Sequence, residues 1–94
     1  MGNVSIRLAL GPILQEKAFS YNITEQISLA DLMNEWGSQY APEVLKQLFD
    51  PQTEYIAGSI LILLNSRSVK SDDPRKTVIS PGDDVFITRI LIGG

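Results

Sequence analysis

The feature that most constrains the fold of this chain is an alternation of large apolar residues with small or polar ones near its start. Large apolar side chains stand at every second position, at Val4, Ile6, Leu8 and Leu10. A period of two puts them on one face of a strand, and that face needs a covering layer. Gly11-Pro12 breaks the pattern. A second strand, predicted over residues 18–23, completes an N-terminal hairpin, with one face made of Phe19, Tyr21 and Ile23.

The middle of the chain changes to a helical period and is expected to supply that layer. Ser28 is a typical helix N-cap, and Asp31 three positions later makes a variant of the capping box. The i, i+3, i+4, i+7 spacing of one apolar face is met by Leu29, Leu32, Met33 and Trp36. We expect Gly37 to end this helix and Pro42 to begin a second one, which ends at Asp50-Pro51. The inner face of the second helix contains Val44, Leu45, Leu48 and Phe49.

The last part of the chain returns to strands. The apolar run at residues 60–64 is typical of a buried interior strand, and it is followed by a turn at 65–67 and a brief edge strand over 68–70. A loop over 71–76 and a strong turn signal at 80–83 precede the last strand, predicted for 85–92. This order of elements indicates an α+β domain with helix on one face of a sheet. The length fits one domain, residues 1–94.

The residue types that are missing exclude most catalytic chemistry. The chain has no Cys and no His, which rules out a thiolate nucleophile, a histidine base and a zinc site of the usual N/S kind. The formal net charge is -3, and no basic stripe of the kind that nucleic-acid binders carry is present. No apolar segment can span a bilayer and no signal-peptide pattern is present, so no membrane partner is predicted and the cytoplasm is the expected location.

Two adjacent carboxylate pairs, Asp72-Asp73 and Asp83-Asp84, look catalytic but are predicted to be structural. An acid/base pair must converge on one bond, whereas neighbours in sequence point apart in a strand and splay in a turn. Both pairs lie beside turn residues, where Asp is favoured. Surface positions are also expected for the lysines, Lys17, Lys46, Lys70 and Lys76. We therefore do not expect the chain to be an enzyme.

What remains for chemistry is the C-terminal segment. The last predicted strand runs directly into Gly93-Gly94, and residues 91–94 can extend roughly 13 Å from a sheet. Glycine has no side chain and wide backbone freedom, so such a segment can thread a narrow channel in another protein. We expect residues 91–94 to be a flexible tail that presents the Gly94 carboxylate, which is a poor electrophile until a partner activates it by adenylation.

Period two also predicts a docking surface on the side of the sheet away from the helix. Val85 and Ile87 are expected to face the helix, as are Ile62 and Leu64 on a neighbouring strand. An outward apolar row often marks an interface, and the alternative is that a further element covers it. The residues predicted to contact a partner are Leu61, Leu63, Phe86, Thr88, Arg89, Ile90, Leu91 and Ile92. For Arg89 the alternative is an ordinary strand-end charge.

Four segments of the chain are typical of one protein family: Leu29-Ala30-Asp31-Leu32, Leu64-Asn65 with Arg67, Pro81-Gly82-Asp83-Asp84-Val85 and Gly93-Gly94. Through them, and over nearly its full length, the chain resembles the MoaD/ThiS family of sulfur carrier proteins, which have the β-grasp, or ubiquitin-like, fold. It implies a mixed sheet of about four to five strands packed on a helix. It also implies that Gly94 is adenylated, becomes a thiocarboxylate and donates sulfur in cofactor biosynthesis.

The resemblance implies partners and no permanently bound cofactor. An adenylating enzyme of the ubiquitin-activating type, similar to MoeB and ThiF, uses ATP and magnesium, and a sulfurtransferase supplies sulfur. The length and two-part helical middle look more like MoaD, whose acceptor is the large subunit of molybdopterin synthase. The ending over residues 88–92 lacks a Pro-Pro segment and is closer to ThiS, which serves thiamine thiazole synthesis.

Two other functions share the same features of the sequence. A ubiquitin-like protein modifier would use the same tail chemistry, with Gly94 joined to lysines of target proteins. A β-grasp interaction module would use the fold without any chemistry at the tail, so that loss of Gly94 would leave its function intact.

Overall fold

The computed structural model describes residues 2–10 and 16–90. Two helices lie within these ranges, α1 (Leu29–Tyr40) and α2 (Pro42–Leu48). The strands of the same ranges are β1 (Gly2–Ala9), β2 (Lys17–Ile23), β3 (Ile27–Ser28), β4 (Ile60–Leu64), β5 (Arg67–Ser68), β6 (Val78–Ile79) and β7 (Asp84–Arg89).

Five strands form one mixed sheet in the order β2-β1-β7-β4-β5. β1 and β2 pair in antiparallel fashion, which confirms the predicted hairpin. β1 and β7 pair in parallel, and β4 pairs with both β7 and β5 in antiparallel fashion. The last strand in sequence therefore lies in the centre of the sheet, and the α+β class with a five-stranded mixed sheet is confirmed.

The core lies between this sheet and helix α1. The predicted helical face is fully buried, since Leu29, Leu32, Met33 and Trp36 are all 0% exposed. The strands contribute alternate residues to the same cluster, among them Val4, Ile6, Ile60, Ile62, Val85 and Ile87. Ser28 is the N-cap of α1, because its Oγ accepts a hydrogen bond from the Asp31 N–H at 3.1 Å. The two hydrophobic periods thus meet in one core.

The prediction that Gly37 ends the first helix is wrong. Helix α1 continues to Tyr40, and Gly37 is buried within it. A Cβ at this position would come within 2.9 Å of the Leu45 Cβ on α2. Glycine is therefore used here for the close approach of two helices, which sequence alone does not distinguish from a helix stop.

The second helix begins at Pro42 as predicted and ends at Leu48, before Asp50-Pro51. Leu48 is fully buried, whereas Val44 and Leu45 pack on the core while staying partly exposed. Phe49 lies just beyond the helix, where it forms an isolated antiparallel bridge with Ile56. The bridge brings together the two ends of the segment formed by residues 50–55.

Several strand boundaries differ from those expected. The edge strand is Arg67–Ser68 instead of 68–70, because only Leu63 and Leu64 of β4 have partners there. β7 begins one residue earlier than predicted and ends at Arg89, and residues 91 and 92 lie outside the described residues. The small sheet of β3 and β6 was not predicted, since strands of two residues carry no readable period.

Candidate docking face

The outer side of β7 and β4 carries a block of half-buried residues. Phe86 and Thr88 are partly exposed there, while Val85 and Ile87 on the other side are 0% exposed. The strand register pairs Leu63 with Phe86 and Leu61 with Thr88. These four residues, Leu61, Leu63, Phe86 and Thr88, form what we call the outer block. Their outward orientation is as predicted, and their contact with a partner remains a prediction.

Arg7 belongs to the same face and was not predicted. Its register partner across β1 and β7 is Phe86, and its guanidinium carbon lies 4.7 Å from the centre of the Phe86 ring. The Asp84 carboxylate accepts from Arg7 Nε at 3.0 Å and from Nη2 at 2.7 Å, and Glu16 accepts from Nη1 at 2.8 Å. Arg7 is an outward charge in the alternating β1 pattern, but its neighbours come from pairing with a strand 77 residues away.

The Arg7 pair sets the electrostatics of this face. Hydrogen bonds from the guanidinium lower the pKa of Asp84 below its usual value, although partial burial opposes the shift. The same bonds from Asp84 and Glu16 raise the pKa of Arg7. Asp84 is therefore ionised at neutral pH. The outer block is consequently bordered by charges that already have partners within the chain.

The C-terminal end of β7 is tied to the body of the fold by side chains. Thr88 Oγ1 donates to the Ala9 carbonyl at 2.9 Å. Arg89 Nε donates to the Leu10 carbonyl at 3.1 Å, and its Nη2 donates to Gln47 Oε1 at 2.8 Å. The Ile90 N–H donates to the Ser59 carbonyl at 2.9 Å. The position where the chain leaves the sheet is thus held by β1, α2 and the start of β4.

Ile90, also predicted to contact a partner, is partly exposed just after β7, and that contact stays a prediction. The other predicted site residues lie beyond it. Leu91, Ile92, Gly93 and Gly94 are outside the described residues, so their roles stay predictions. Arg89 is engaged within the fold in the way a structural charge would be, and its contact with a partner is likewise untested.

The two carboxylate pairs take part in separate structural contacts. Asp73 accepts from the Arg75 backbone N–H and side chain, both at 3.0 Å, and these bonds lower its pKa. Asp83 accepts from Asn65 Nδ2 at 3.1 Å and from the Ser80 N–H at 2.8 Å. Asp73, Asp83 and Asp84 each have different partners, so the two members of a pair do not converge on one point, which agrees with the predicted structural role.

The described residues hold neither a cluster of metal-ligating side chains nor a membrane-spanning helix. No three Asp or Glu side chains in residues 2–10 and 16–90 lie close enough together to hold a metal ion. Neither α1 nor α2, the two helices of those ranges, is long and apolar enough to cross a membrane.

No family model and no curated protein matches this chain. Solved structures do match it over almost its whole length. Urm1 from Trypanosoma brucei superposes with a TM-score of 0.73 at 20% identity, covering 99% of this chain and 96% of Urm1. The HVO 2177 protein of Haloferax volcanii gives a TM-score of 0.67 at 18% identity, covering 99% and 89%. Small archaeal modifier protein 1 (SAMP1) from Methanosarcina acetivorans gives 0.59 at 20% identity and covers both chains completely.

Superpositions at identities this low establish the fold alone. The chain has the ubiquitin-like β-grasp fold, as the sequence predicted, and these neighbours share it. Membership of the MoaD/ThiS family in particular stays a prediction.

Proposed function

We propose that this protein is a ubiquitin-like sulfur carrier whose Gly94 carboxylate is activated by an adenylating enzyme and converted to a thiocarboxylate. The observation that carries the proposal is the position of β7. This strand lies in the centre of the sheet and is tied at its end through Thr88 and Arg89. Only Ile90 separates it from residues 91–94. A fixed exit point supports delivery of a glycine segment to a partner's active site.

The chemistry belongs to the partner, and the chain contributes the reacting carboxylate. An oxygen of the Gly94 carboxylate attacks the α-phosphorus of ATP, and pyrophosphate leaves to give an acyl adenylate. Magnesium on the partner offsets the phosphate charge. A hydrosulfide-level sulfur donor then attacks the acyl carbon and AMP leaves, which gives the thiocarboxylate. The absence of side chains at Gly93 and Gly94 favours entry into a narrow channel.

The outer block is the surface that we propose for docking of the adenylating enzyme. It presents three partly exposed apolar side chains, Leu61, Leu63 and Phe86, on β7 and its neighbour β4, and exposed apolar side chains in a group often mark an interface. The Arg7 and Asp84 side chains beside it already bond each other, so a partner that covers them leaves no unpaired charge there.

The sulfur acceptor that we propose is the large subunit of molybdopterin synthase. The two consecutive helices α1 and α2 support this choice, because a two-part helical middle resembles MoaD more than ThiS. A thiazole-forming enzyme of thiamine synthesis is the alternative acceptor.

A second function, protein modification, is favoured by one comparison. The Methanosarcina neighbour is named a modifier protein, and it matches this chain over the full length of both. In that function the acyl adenylate is attacked by a lysine amine of a target, with loss of AMP and formation of an isopeptide bond.

Intact-mass measurement separates these functions. The protein purified from its own cells first shows whether Gly94 is the mature C-terminus. It is then incubated with the adenylating enzyme of the same organism, ATP, magnesium and sulfide. A mass increase equal to the exchange of one oxygen for sulfur supports the carrier, and isopeptide-linked adducts in cells support the modifier. A Gly94 deletion is the control and should show neither. Both functions would be overturned if the protein stayed unmodified after incubation with every adenylating enzyme of the organism.

A further inference from the structure

The open edge of β2 is a feature that the proposed function does not use. β2 lies at one end of the sheet, and no strand within residues 2–10 and 16–90 pairs with its outer side. It has seven residues, contains no proline and keeps an unbroken register against β1. Proteins usually blunt such an edge with a bulge, a proline, a lysine or a very short strand, because its free backbone groups pair readily with another extended segment. Of these devices β2 carries one lysine, Lys17, at the end of the strand away from Ile23.

The register shows which backbone groups of β2 face outward. Asp83 O accepts from the Ser5 N–H at 3.0 Å, and Asn3 O accepts from the Gly82 N–H at 2.9 Å. The backbone N–H and C=O groups of odd-numbered β1 residues are therefore directed at β7, and those of even-numbered residues at β2. The register partners of the even-numbered residues are Lys17, Phe19, Tyr21 and Ile23. The N–H and C=O groups directed at the open edge are therefore those of Ala18, Ser20 and Asn22.

An aromatic wall stands beside this edge on the helix side of the sheet. Phe19 and Tyr21 are partly exposed, and Tyr40 at the end of α1 is 57% exposed. The rings are packed together, with 6.2 Å between the centres of Phe19 and Tyr40 and 6.3 Å between those of Tyr21 and Tyr40. Phe19 in turn meets the buried Trp36 edge-on at 5.3 Å. The wall is preformed, so binding would order few side chains.

An acidic cleft continues the same groove toward the other end of β2. The Tyr21 hydroxyl donates to Glu35 Oε1 at 3.3 Å, which joins the aromatic wall to a cleft of about 460 Å³. Carboxylates of Glu25, Asp31 and Glu35 line that cleft, and no lysine or arginine of the described chain does. These carboxylates do not form a metal-binding group. Their charge is therefore available to a cationic side chain of a partner.

We propose that this β2–α1 groove, made of the open edge, the aromatic wall and the acidic cleft, binds an extended basic peptide segment of a partner protein. The segment adds to β2 as a sixth strand through the backbone groups of Ala18, Ser20 and Asn22. Every second side chain of an added strand faces the helix side. One apolar side chain therefore packs on Tyr21 and Tyr40, and a lysine or arginine an even number of positions away enters the acidic cleft.

Charge complementarity selects a basic peptide over a second copy of this chain. Antiparallel pairing of two β2 strands centred on Tyr21 would bring two Glu35 carboxylates close to the symmetry axis, because each is bonded to its own Tyr21 hydroxyl. It would also join two chains of net charge -3. Like charges at an interface oppose association.

The test uses two capped heptapeptides, Thr-Val-Thr-Val-Thr-Lys-Thr and the same peptide with Glu in place of Lys, each also made in reversed order. Binding to the full chain is followed by NMR. We expect the lysine peptide to slow amide exchange at Ala18, Ser20 and Asn22 and to bind roughly tenfold more tightly than the glutamate peptide, as about three weak ion pairs would produce.

Matched variants separate the groove from general charge effects. The double variant Glu25→Gln/Glu35→Gln should remove most of the preference for lysine. Glu43→Gln/Glu54→Gln makes the same change in net charge away from the groove and should keep it. The exchange measurement uses the unaltered chain, so its result does not depend on whether a variant folds.

Three outcomes would overturn the proposal. The first is equal binding of the lysine and glutamate peptides. The second is a set of peptide-induced chemical-shift changes centred on Leu63 and Phe86 instead of on β2. The third is protection of the β2 amides by the protein itself as its concentration rises, which would assign the edge to a second copy. Deleting Gly94 should not change peptide binding, so the failure of this inference and the failure of the proposed function can be told apart.

Discussion

At the scale of single residues, the turn between β4 and β5 carries backbone strain. Asn65 has a φ of 51° and Ser66 a φ of 71°, so both central residues lie in the left-handed region. Tight hairpin turns of this hand favour Asn followed by Gly, because serine pays a steric cost there that glycine does not.

We therefore expect Ser66→Gly to raise the free energy of unfolding by up to about 1 kcal/mol. Chemical denaturation of the two proteins measures the difference. Ser71→Gly is the matched control, since Ser71 is exposed in a loop and does not have positive φ. It should be neutral or slightly destabilising because glycine adds freedom to the unfolded chain. Equal effects of the two changes would contradict this account of strain.

The Arg7–Asp84 pair makes stability depend on pH in the acid range. The pKa of Asp84 is lower in the folded chain than in the unfolded one, because Arg7 bonds the ionised form. Its contribution is therefore present above the unfolded pKa, about 3.9, and is lost as pH falls through the folded pKa.

We expect Asp84→Asn to be less stable than the unaltered chain at pH 7, and the difference to shrink below about pH 4. Unfolding measured across that range tests this. Arg7→Met removes the cause of the shift and should show the same shrinking difference. A gap that stays constant from pH 7 to acid would show that the carboxylate charge is not what stabilises the pair.

At the scale of elements, the contact between α1 and α2 depends on the missing side chain of Gly37. Alanine normally strengthens a helix by roughly 1 kcal/mol relative to glycine. Here its Cβ would meet the Leu45 Cβ at 2.9 Å, so one of the helices must shift.

Gly37→Ala is accordingly expected to lower the free energy of unfolding by about 1 to 3 kcal/mol in spite of its helix propensity. Thermal or denaturant unfolding measures the loss. Ser38→Ala, on the exposed side of the same helix, should cause little change. Adding Leu45→Gly, which removes the Cβ that the new alanine would meet, to Gly37→Ala should cost less than the sum of the two single changes, and strict additivity would argue against a direct clash.

Element types followed from the sequence where a hydrophobic period ran for several residues. β1, β2, β4, β7 and α1 were predicted for this reason, and so was the cap at Ser28. Gly37 was misassigned because a glycine needed for helix contact and a glycine that ends a helix look alike in sequence. β3 and β6 were missed because pairing of Ile27 with Ile79 is decided by the positions of the larger elements.

At the scale of the whole molecule, the sheet separates two surfaces. The outer block lies on one side, and the β2–α1 groove lies at one edge on the other side. Their positions allow a partner at each without overlap. A change in one surface should therefore leave binding at the other unaltered.

Leu63→Ser, in the outer block, should reduce the rate of Gly94 adenylation about tenfold at limiting enzyme, which corresponds to the loss of one good apolar interface contact. Peptide binding in the β2–α1 groove should not change, which also shows that the variant is folded. Ser20→Ala, on the same side of the sheet but in β2, is the control for adenylation. An unchanged rate in Leu63→Ser would remove the outer block from the docking surface.

The sequence by itself determined the α+β class, the inward and outward faces of the main strands, and the absence of Cys and His chemistry. These properties are local, since a period of two or 3.6 and a residue type need no partner to be recognised. Only the tertiary structure decided that β7 lies beside β1, that Arg7 therefore stacks on Phe86 and bonds Asp84, and that β2, next to Tyr40 and Glu35, is an edge strand of the sheet within the described residues. Those relations join residues far apart in the chain, and their energies exist only once the sheet has assembled.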